Sequence, residues 1–264
     1  MSSAITVSGL RKTYGSFVAV DDVDLQVESG EVFAFLGPNG AGKTTTIDIL
    51  TGAQRRTSGT VNVLGRDPQN DEREWRAQVG VVPQGTAKYS DLTVREIIDH
   101  FASFYPNPFP TGQLIDMVGL GAKAKVLSTK LSGGQRRRLD VAVGVVGRPR
   151  LLFLDEPTTG LDPEARREAW ELVRLLTGEG MTTVLTTHYL DEAQELSQRI
   201  GVIAGGRMLH VGTLDQLAQL TGSRHRVSYD LDPLVEVPPG LATRLENKPH
   251  SCLYATDEPT ALLR

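Results

Sequence analysis

The sequence predicts an α/β fold: a mostly parallel sheet covered by helices, with a helical subdomain inserted into the strand order. Three observations carry this. Short apolar runs of strand length alternate with helical stretches along most of the chain, the pattern of a parallel sheet covered on both faces. One of those runs, residues 31–36, feeds a glycine-rich turn and then a helix. The stretch from Thr93 to about Gly147 breaks the alternation, because helices dominate it.

The elements follow in order. Residues 5–7 and 23–27 alternate apolar with polar side chains, as half-buried strands do. Residues 31–36 are nearly all apolar and end at Gly37, with a helix over about 43–50 behind them. Residues 59–64 and 79–82 read as further strands. Thr93 with Glu96 three residues later is a capping-box signature, and Val94, Ile97, Ile98, Phe101 and Tyr105 then fall at helical spacing. Residues 112–118 and 134–146 read as two more helices. Residues 151–154 form a buried strand by their length and lack of polar interruption. Residues 181–186 and 200–204 repeat that pattern, separated by helices over about 163–176 and 190–197. After Leu220 the pattern weakens, and 230–240 carries prolines. The expected organisation is one catalytic domain over 1–220, its helical subdomain at about 93–147, and a short extension over 221–264 of unassigned fold.

Composition narrows the function. The chain has 264 residues, with 28 Lys plus Arg against 32 Asp plus Glu and a net charge of −4. That balance argues against a nucleic-acid binder, which carries a basic surplus. The run Arg136-Arg137-Arg138 is accordingly expected to be a solvated helix face. The single cysteine, Cys252, has no internal partner for a disulfide, which fits a reducing compartment. Residues 1–6 show neither a basic start nor an apolar stretch, so no secretory signal is expected. No apolar run approaches the roughly 18 residues of a membrane span.

The motifs carry the chemistry. Gly37-Pro38-Asn39-Gly40-Ala41-Gly42-Lys43-Thr44 fits G-x-x-x-x-G-K-[ST] between a strand and a helix. Its glycines let backbone N–H groups turn inward around phosphates. Lys43 supplies positive charge to the β- and γ-phosphates, and Thr44 offers a hydroxyl to Mg²⁺. The apolar strand 151–154 runs into Asp155 and Glu156. Asp155 then sits at a strand's carboxyl end, where open α/β sheets bind ligands, and can hold the metal. Glu156 is the candidate base for an attacking water. Finally, Leu131-Ser132-Gly133-Gly134-Gln135 places two glycines after a serine at a helix start. Those N–H groups suit a terminal phosphate. A chain with two phosphate-binding turns can build one site from two copies of itself.

With these residues in view, the chain resembles the ATP-hydrolysing subunit of an ABC transporter over roughly residues 5–220. The resemblance implies a RecA-like P-loop NTPase core with a mostly parallel sheet, an N-terminal antiparallel β subdomain and an inserted helical subdomain. It implies ATP and Mg²⁺ as ligands, with the loop from Gly37 through Thr44 and Thr45 on the phosphates. Tyr14 matches the aromatic ring that stacks on adenine. Gln84 matches the glutamine that reaches the metal and the water, beside Thr44 and Asp155. Leu131 to Gln135 matches the signature that serves the partner's ATP, Asp162 the loop that crosses to the partner, and His188 the histidine on the γ-phosphate. Taken alone, Tyr14 reads as a surface tyrosine, Gln84 as a solvated turn and His188 as a surface histidine. Asp162 before Pro163 also reads as a helix start.

The resemblance further implies head-to-tail pairing with a second copy or a related ATPase. It implies separate integral membrane permease subunits and a peripheral place on the cytoplasmic face of the membrane. A short permease helix would dock near residues 85–92 and the helix from Thr93, with an exposed Tyr89 and the aromatic stripe Phe101, Phe104 and Tyr105 as candidate lining; taken alone the stripe, Phe101 above all, reads as the core face of the helix. Short runs such as Thr187-His188-Tyr189-Leu190-Asp191-Glu192-Ala193 resemble drug-resistance and ABC-2-type efflux ATPases. An importer ATPase and a soluble, non-transport ABC ATPase are the alternatives. A GTPase would need a guanine-reading N-K-x-D-like run, and a phosphate-loop kinase leaves the signature unexplained.

Overall fold

The computed structural model describes residues 2–70, 72–85, 89, 91–178, 180–220, 225–229, 243–248 and 251–256. The chain opens with β1 (Ser3–Tyr14) and β2 (Phe17–Glu28), then β3 (Val32–Leu36), α1 (Lys43–Leu50) and β4 (Ser58–Val63). The short α2 (Arg73–Arg76) precedes β5 (Val79–Val82). Helices α3 (Val94–Ala102), α4 (Thr111–Met117) and α5 (Gly133–Val145) follow. Then come β6 (Leu151–Asp155), α6 (Pro163–Thr177), β7 (Thr182–Thr187), α7 (Leu190–Leu196), β8 (Arg199–Ala204) and β9 (Arg207–Gly212). These make up a first compact unit, Met1–Gly212. The second unit, Thr213–Arg264, holds α8 (Leu214–Leu220), β10 (His225–Tyr229), β11 (Thr243–Lys248) and β12 (Ser251–Thr256).

The central sheet has strand order β5-β6-β7-β3-β8-β9, parallel throughout except for the antiparallel edge pair β8–β9. Every residue of β6 and β7 is buried. That is why these segments read as unbroken apolar or threonine-rich runs rather than as alternating ones. Phe33 and Phe35 pack edge to face with ring centroids 5.2 Å apart, and they share one core with Ile47, Leu50, Phe153 and Val184. Register places Val82 opposite Leu154, Asp155 opposite Thr186, and Leu36 opposite Thr187. The carboxyl ends of β5, β6, β7 and β3 therefore lie along one edge of the sheet.

A second sheet, β2-β1-β4, is antiparallel and closes the same core. In β2, Val23, Leu25 and Val27 are buried while Asp24 and Gln26 are exposed, the expected alternation. β1 runs further than residues 5–7. Its pairing register shifts between Val7 and Leu10, around Gly9 at φ +59°, and this bulge erases the period in the sequence.

The inserted helices form as their caps dictate. Thr93 Oγ1 accepts from Glu96 N and Glu96 Oε2 accepts from Thr93 N, closing the capping box of α3. Val94, Ile97 and Ile98 are its buried face. Helix α5 lies directly against β5, because Gly80 and Gly144 meet there. A Cβ on Gly80 would fall 2.3 Å from Gly144 O. The structure adds elements that periodicity missed: α2, the edge strand β9, α8 and the antiparallel sheet β10-β12-β11 of the second unit. The proline-bearing stretch 230–240 lies outside the described residues.

Candidate functional site

The phosphate loop starts where β3 ends. Gly37 N donates to Thr187 O at 3.2 Å, and a Cβ on Gly37 would lie 2.2 Å from Ile203 O, so only glycine fits between the neighbouring strands. Gly42 has φ +102° and sits 2.6 Å, at its absent Cβ, from Ala19 O. The loop's tip, Pro38-Asn39-Gly40, is exposed, while Ala41 and Lys43 are buried. Thr44 is exposed and Thr45 half-buried at the head of α1. Lys43 Nζ folds back on the loop, donating to Gly37 O at 2.8 Å and Pro38 O at 3.1 Å. It also lies 3.4 Å from Glu156 Oε1.

The two acids face different partners. Asp155 ends β6 and accepts from Thr44 Oγ1 at 3.0 Å and from Thr186 Oγ1. Burial, and then the charge of Asp155, hold the Asp48 carboxyl on α1 above its ordinary value. Glu156 is 6% exposed and has a left-handed backbone, φ +44°. Its N–H donates to Thr186 Oγ1 at 2.9 Å. Its Oε2 accepts from Gln84 Nε2 at 2.9 Å and Thr159 Oγ1 at 3.0 Å, and lies 3.5 Å from His188 Nδ1. Burial pushes this carboxyl up, but the Thr159 hydrogen bond and the nearby Lys43 and His188 outweigh it. The net effect holds Glu156 below the usual carboxylate range, hence ionised at neutral pH.

His188 leaves β7 through a turn in which Tyr189 N donates to Thr187 Oγ1 at 2.9 Å, and its ring rests on Tyr189, centroids 4.0 Å apart. Lys43, Thr44, Gln84, Asp155, Glu156 and His188 are thus joined in one hydrogen-bonded and ionic cluster. Tyr14 stands apart from it at the end of β1, 45% exposed, its hydroxyl donating to Gln54 Oε1 at 3.1 Å and Lys12 Nζ 4.7 Å from its ring centre.

The signature opens α5. Ser132 is its N-cap: Ser132 Oγ accepts from Gln135 N at 3.3 Å and Gln135 Oε1 accepts from Ser132 N at 3.2 Å. Ser132 and Gly133 are exposed, Leu131 is buried, and Gly134 abuts Ala165. Among the described residues no hydrogen bond or ion pair links Ser132, Gly133 or Gly134 to the loop 37–44 of the same chain. Asp162 caps α6, its Oδ1 accepting from Glu164 N at 3.0 Å and Ala165 N at 2.9 Å, with Pro163 at the first helical position.

Two expectations need correction. Arg137 is not on a solvated face: it is 5% exposed and donates to the carbonyls of Pro83, Asp155 and Pro157. Its neighbours are half-buried, Arg138 pairing with Glu168 and Arg136 reaching Leu131 O. Tyr89 is half-buried rather than exposed, edge-on to Phe101 at 5.9 Å, with Asp140 beside its hydroxyl. Residues 86–88 and 90 of the expected docking loop lie outside the described residues. Sequence reading also passed over Thr159 and Thr186, which hold the two acids. Only their place directly after or beside strands of the site could have flagged them.

Comparison with known proteins agrees with this geometry. A family model described as "ABC transporter" matches residues 20–159. The daunorubicin/doxorubicin resistance ATP-binding protein DrrA of Streptomyces peucetius is 44% identical over 226 residues, covering 83% of this chain and 68% of that protein. The Nod factor export ATP-binding protein I of Cupriavidus metallidurans is 36% identical over 271 residues, covering 100% of this chain and 89% of that protein. Among solved structures, an ATP-binding subunit of an ABC transporter superposes with a TM-score of 0.74 at 26% identity, over 83% of this chain and 93% of that one. A dimeric ATP-binding cassette bound to ADP and Pi shares the fold, with a TM-score of 0.71 at 24% identity over 80% and 98% of the two chains. The chain belongs to the ABC transporter family, as an ATP-binding and ATP-hydrolysing subunit of such a transporter.

Proposed function

We propose that this subunit drives an efflux system. It works as a head-to-tail pair on the cytoplasmic face of a membrane, docked to separate integral membrane permease subunits. The names of its relatives, one for drug resistance and one for export, support efflux over import. Among the described residues no helix is long and apolar enough to cross a membrane, so the transport path is assigned to other subunits. For the docking groove, the turn just past α3 offers Phe104, 55% exposed, in an edge-to-face cluster with His100 and Phe101. The acidic balance of the chain supports no nucleic-acid role.

The observation that carries the catalytic reading is the cluster of Lys43, Thr44, Gln84, Asp155, Glu156 and His188 at the carboxyl edge of the sheet. Loop amides of Gly37 to Thr45 and the Lys43 ammonium bind the phosphates. Lys43 must then exchange its bonds to Gly37 O and Pro38 O for phosphate oxygens. Thr44 Oγ1 and the Asp155 carboxylate are hard oxygen donors that fit Mg²⁺, with Gln84 within reach of the same region. When bound, Mg²⁺ neutralises charge on the β- and γ-phosphates. Glu156, ionised and ringed by Gln84 and His188, orients and polarises the attacking water. Tyr14 presents a ring for adenine. Ser132, Gly133 and Gly134 serve the γ-phosphate of the partner's ATP, with Asp162 at the crossing loop, so the site is complete only when two subunits close. Opening and closing then move the permease.

Affinity capture of the full chain from detergent-solubilised membranes tests this reading. Co-isolation of an integral membrane protein, with ATPase activity lost in E156Q, is the expected result. Capture of ribosomal or DNA-associated proteins with no membrane protein would overturn it.

A further inference from the structure

Segment 155–158 leaves β6 between two buried charges of opposite sign. On one side lies Arg137 of α5. Its Nε donates to Pro157 O at 2.9 Å, its Nη2 to Asp155 O at 3.0 Å, and its Nη1 to Pro83 O at 2.5 Å. On the other lies Glu192 of α7, 1% exposed, whose Oε1 accepts from Thr158 Oγ1 at 2.7 Å and Trp170 Nε1 at 3.1 Å. Ionisable side chains are almost never this buried without partners, and here the partners belong mostly to one short segment.

Glu156 sits at the centre of that segment. Its backbone is left-handed at φ +44°, a region that side chains with a Cβ avoid. Such a conformation persists only where the surroundings over-determine it. Asp155 and Pro157 flank Glu156, so a single guanidinium fixes the carbonyl before it and the carbonyl after it. The third bond, to Pro83 O, fixes the residue before Gln84. Glu192 fixes Thr158, whose neighbour Thr159 donates to Glu156 Oε2.

We infer that Arg137 and Glu192 are positioning residues: together they clamp segment 155–158 and hold Glu156 in the left-handed conformation that brings its carboxylate to Gln84, Lys43 and His188. They also tie the signature helix α5 and the helix after His188 to the same turn. Motion of the signature is thereby coupled to the placement of the base. The inference rests on the reading of Glu156 as the base.

The test uses the full chain with R137M, R137K, E192A, E192Q and E156Q. Two quantities are read: kcat and KM for ATP, and backbone hydrogen–deuterium exchange over residues 155–159 in the nucleotide-free chain. R137M and E192A should lose about tenfold to a hundredfold in kcat, the scale of a small misplacement, with KM for ATP nearly unchanged. In both, the amides of Glu156 and Thr159, bonded to Thr186 Oγ1 and Glu156 O, should exchange faster, because the turn that holds them is released. E192Q keeps the acceptor for Thr158 and should retain most of the activity and the slow exchange. R137K should behave like R137M, since one ammonium cannot span three carbonyls. Wild-type kcat in R137M and E192A, or unchanged exchange over 155–159, overturns the clamp. Equal losses in E192A and E192Q overturn it as well, and this pair decides the matter if R137M does not fold. Full activity in E156Q would instead remove the base reading, while the exchange would still report on the clamp.

Discussion

Glu156 concentrates the chemistry of this chain at the scale of one side chain. Its carboxylate meets Lys43, Gln84, Thr159 and His188, yet under the proposed reading ATP is gripped elsewhere, by Lys43, Thr44 and the loop amides. E156Q keeps shape and hydrogen-bonding reach but removes the charge that polarises water. Turnover should fall by about 10² to 10⁴, the usual scale for a lost general base, with nucleotide affinity retained. A phosphate-release assay alongside a nucleotide-binding titration checks both halves. The pH dependence has a definite sign. The folded carboxyl titrates below its ordinary value of 4.5, so its ion pairs contribute fully above that pH and are lost as pH falls through the lower folded value. The difference in Tm between wild type and E156Q should therefore shrink as pH falls below 4.5. Tyr14 offers a separate test: Y14A should weaken ATP binding by about 1 kcal/mol, the value of one aromatic stack, and Y14W should be tolerated. Unchanged affinity in Y14A would leave the ring a surface residue. Residues whose placement follows from a local motif, such as Lys43, Thr44 and Asp155, were legible in the sequence, and the fold does bring them together. Arg137 was not. Its three acceptors are main-chain carbonyls of two segments distant from it in sequence, and a buried arginine in a run of three looks like a solvated one until the fold brings those carbonyls together.

At the scale of elements, what was legible is what local forces decide. The capping boxes at Thr93 and Ser132 and the Asp162 cap each close within three residues, and buried strands such as β6 announce themselves by unbroken apolar runs. The elements missed depend on tertiary support. Helix α2 has four residues, too few to be stable without the burial of Trp75. Strand β9 exists as the antiparallel edge of β8, and its pattern of exposed and half-buried residues shows no clean period. The same dependence governs how α5 is placed. A Cβ at Gly144 would fall 2.6 Å from Val82 Cγ2, so G144V must push the signature helix off β5. Overpacking of this kind costs about 1–3 kcal/mol. G112A is the control: nothing lies within 4 Å of its new Cβ, and alanine suits the helix better. Thermal unfolding should show G144V melting several degrees below wild type and G112A at or above it. Equal melting temperatures would mean that α5 is not held by this glycine contact.

On the scale of the whole molecule, the proposed pairing makes this chain half of a machine. Its own phosphate loop and acids lie on one sheet edge, while the exposed Ser132 and Gly133 head α5 with no bond to that loop in the same chain. A helix N-terminus beside an exposed serine is fit to receive a phosphate, and under the proposed head-to-tail pairing that phosphate comes from a second copy. S132R places a bulky cation where the partner's γ-phosphate must enter. It also removes the Ser132 cap of α5, a cost of about 1 kcal/mol to that helix, and leaves Lys43, Thr44 and Tyr14 untouched. ATP affinity of the monomer, measured by titration with a fluorescent nucleotide, should stay within about twofold of wild type, because exposed surface changes remote from a site rarely couple to it. Turnover should be abolished, and E156Q, which otherwise accumulates as an ATP-bound dimer of doubled mass in light scattering, should remain monomeric when S132R is added. Isolated subunits can pair weakly without their membrane partner, so the affinity measurement is the decisive one. A loss of monomer affinity equal to the loss of turnover would place Ser132 at its own chain's nucleotide, and the two-subunit site would have to be abandoned.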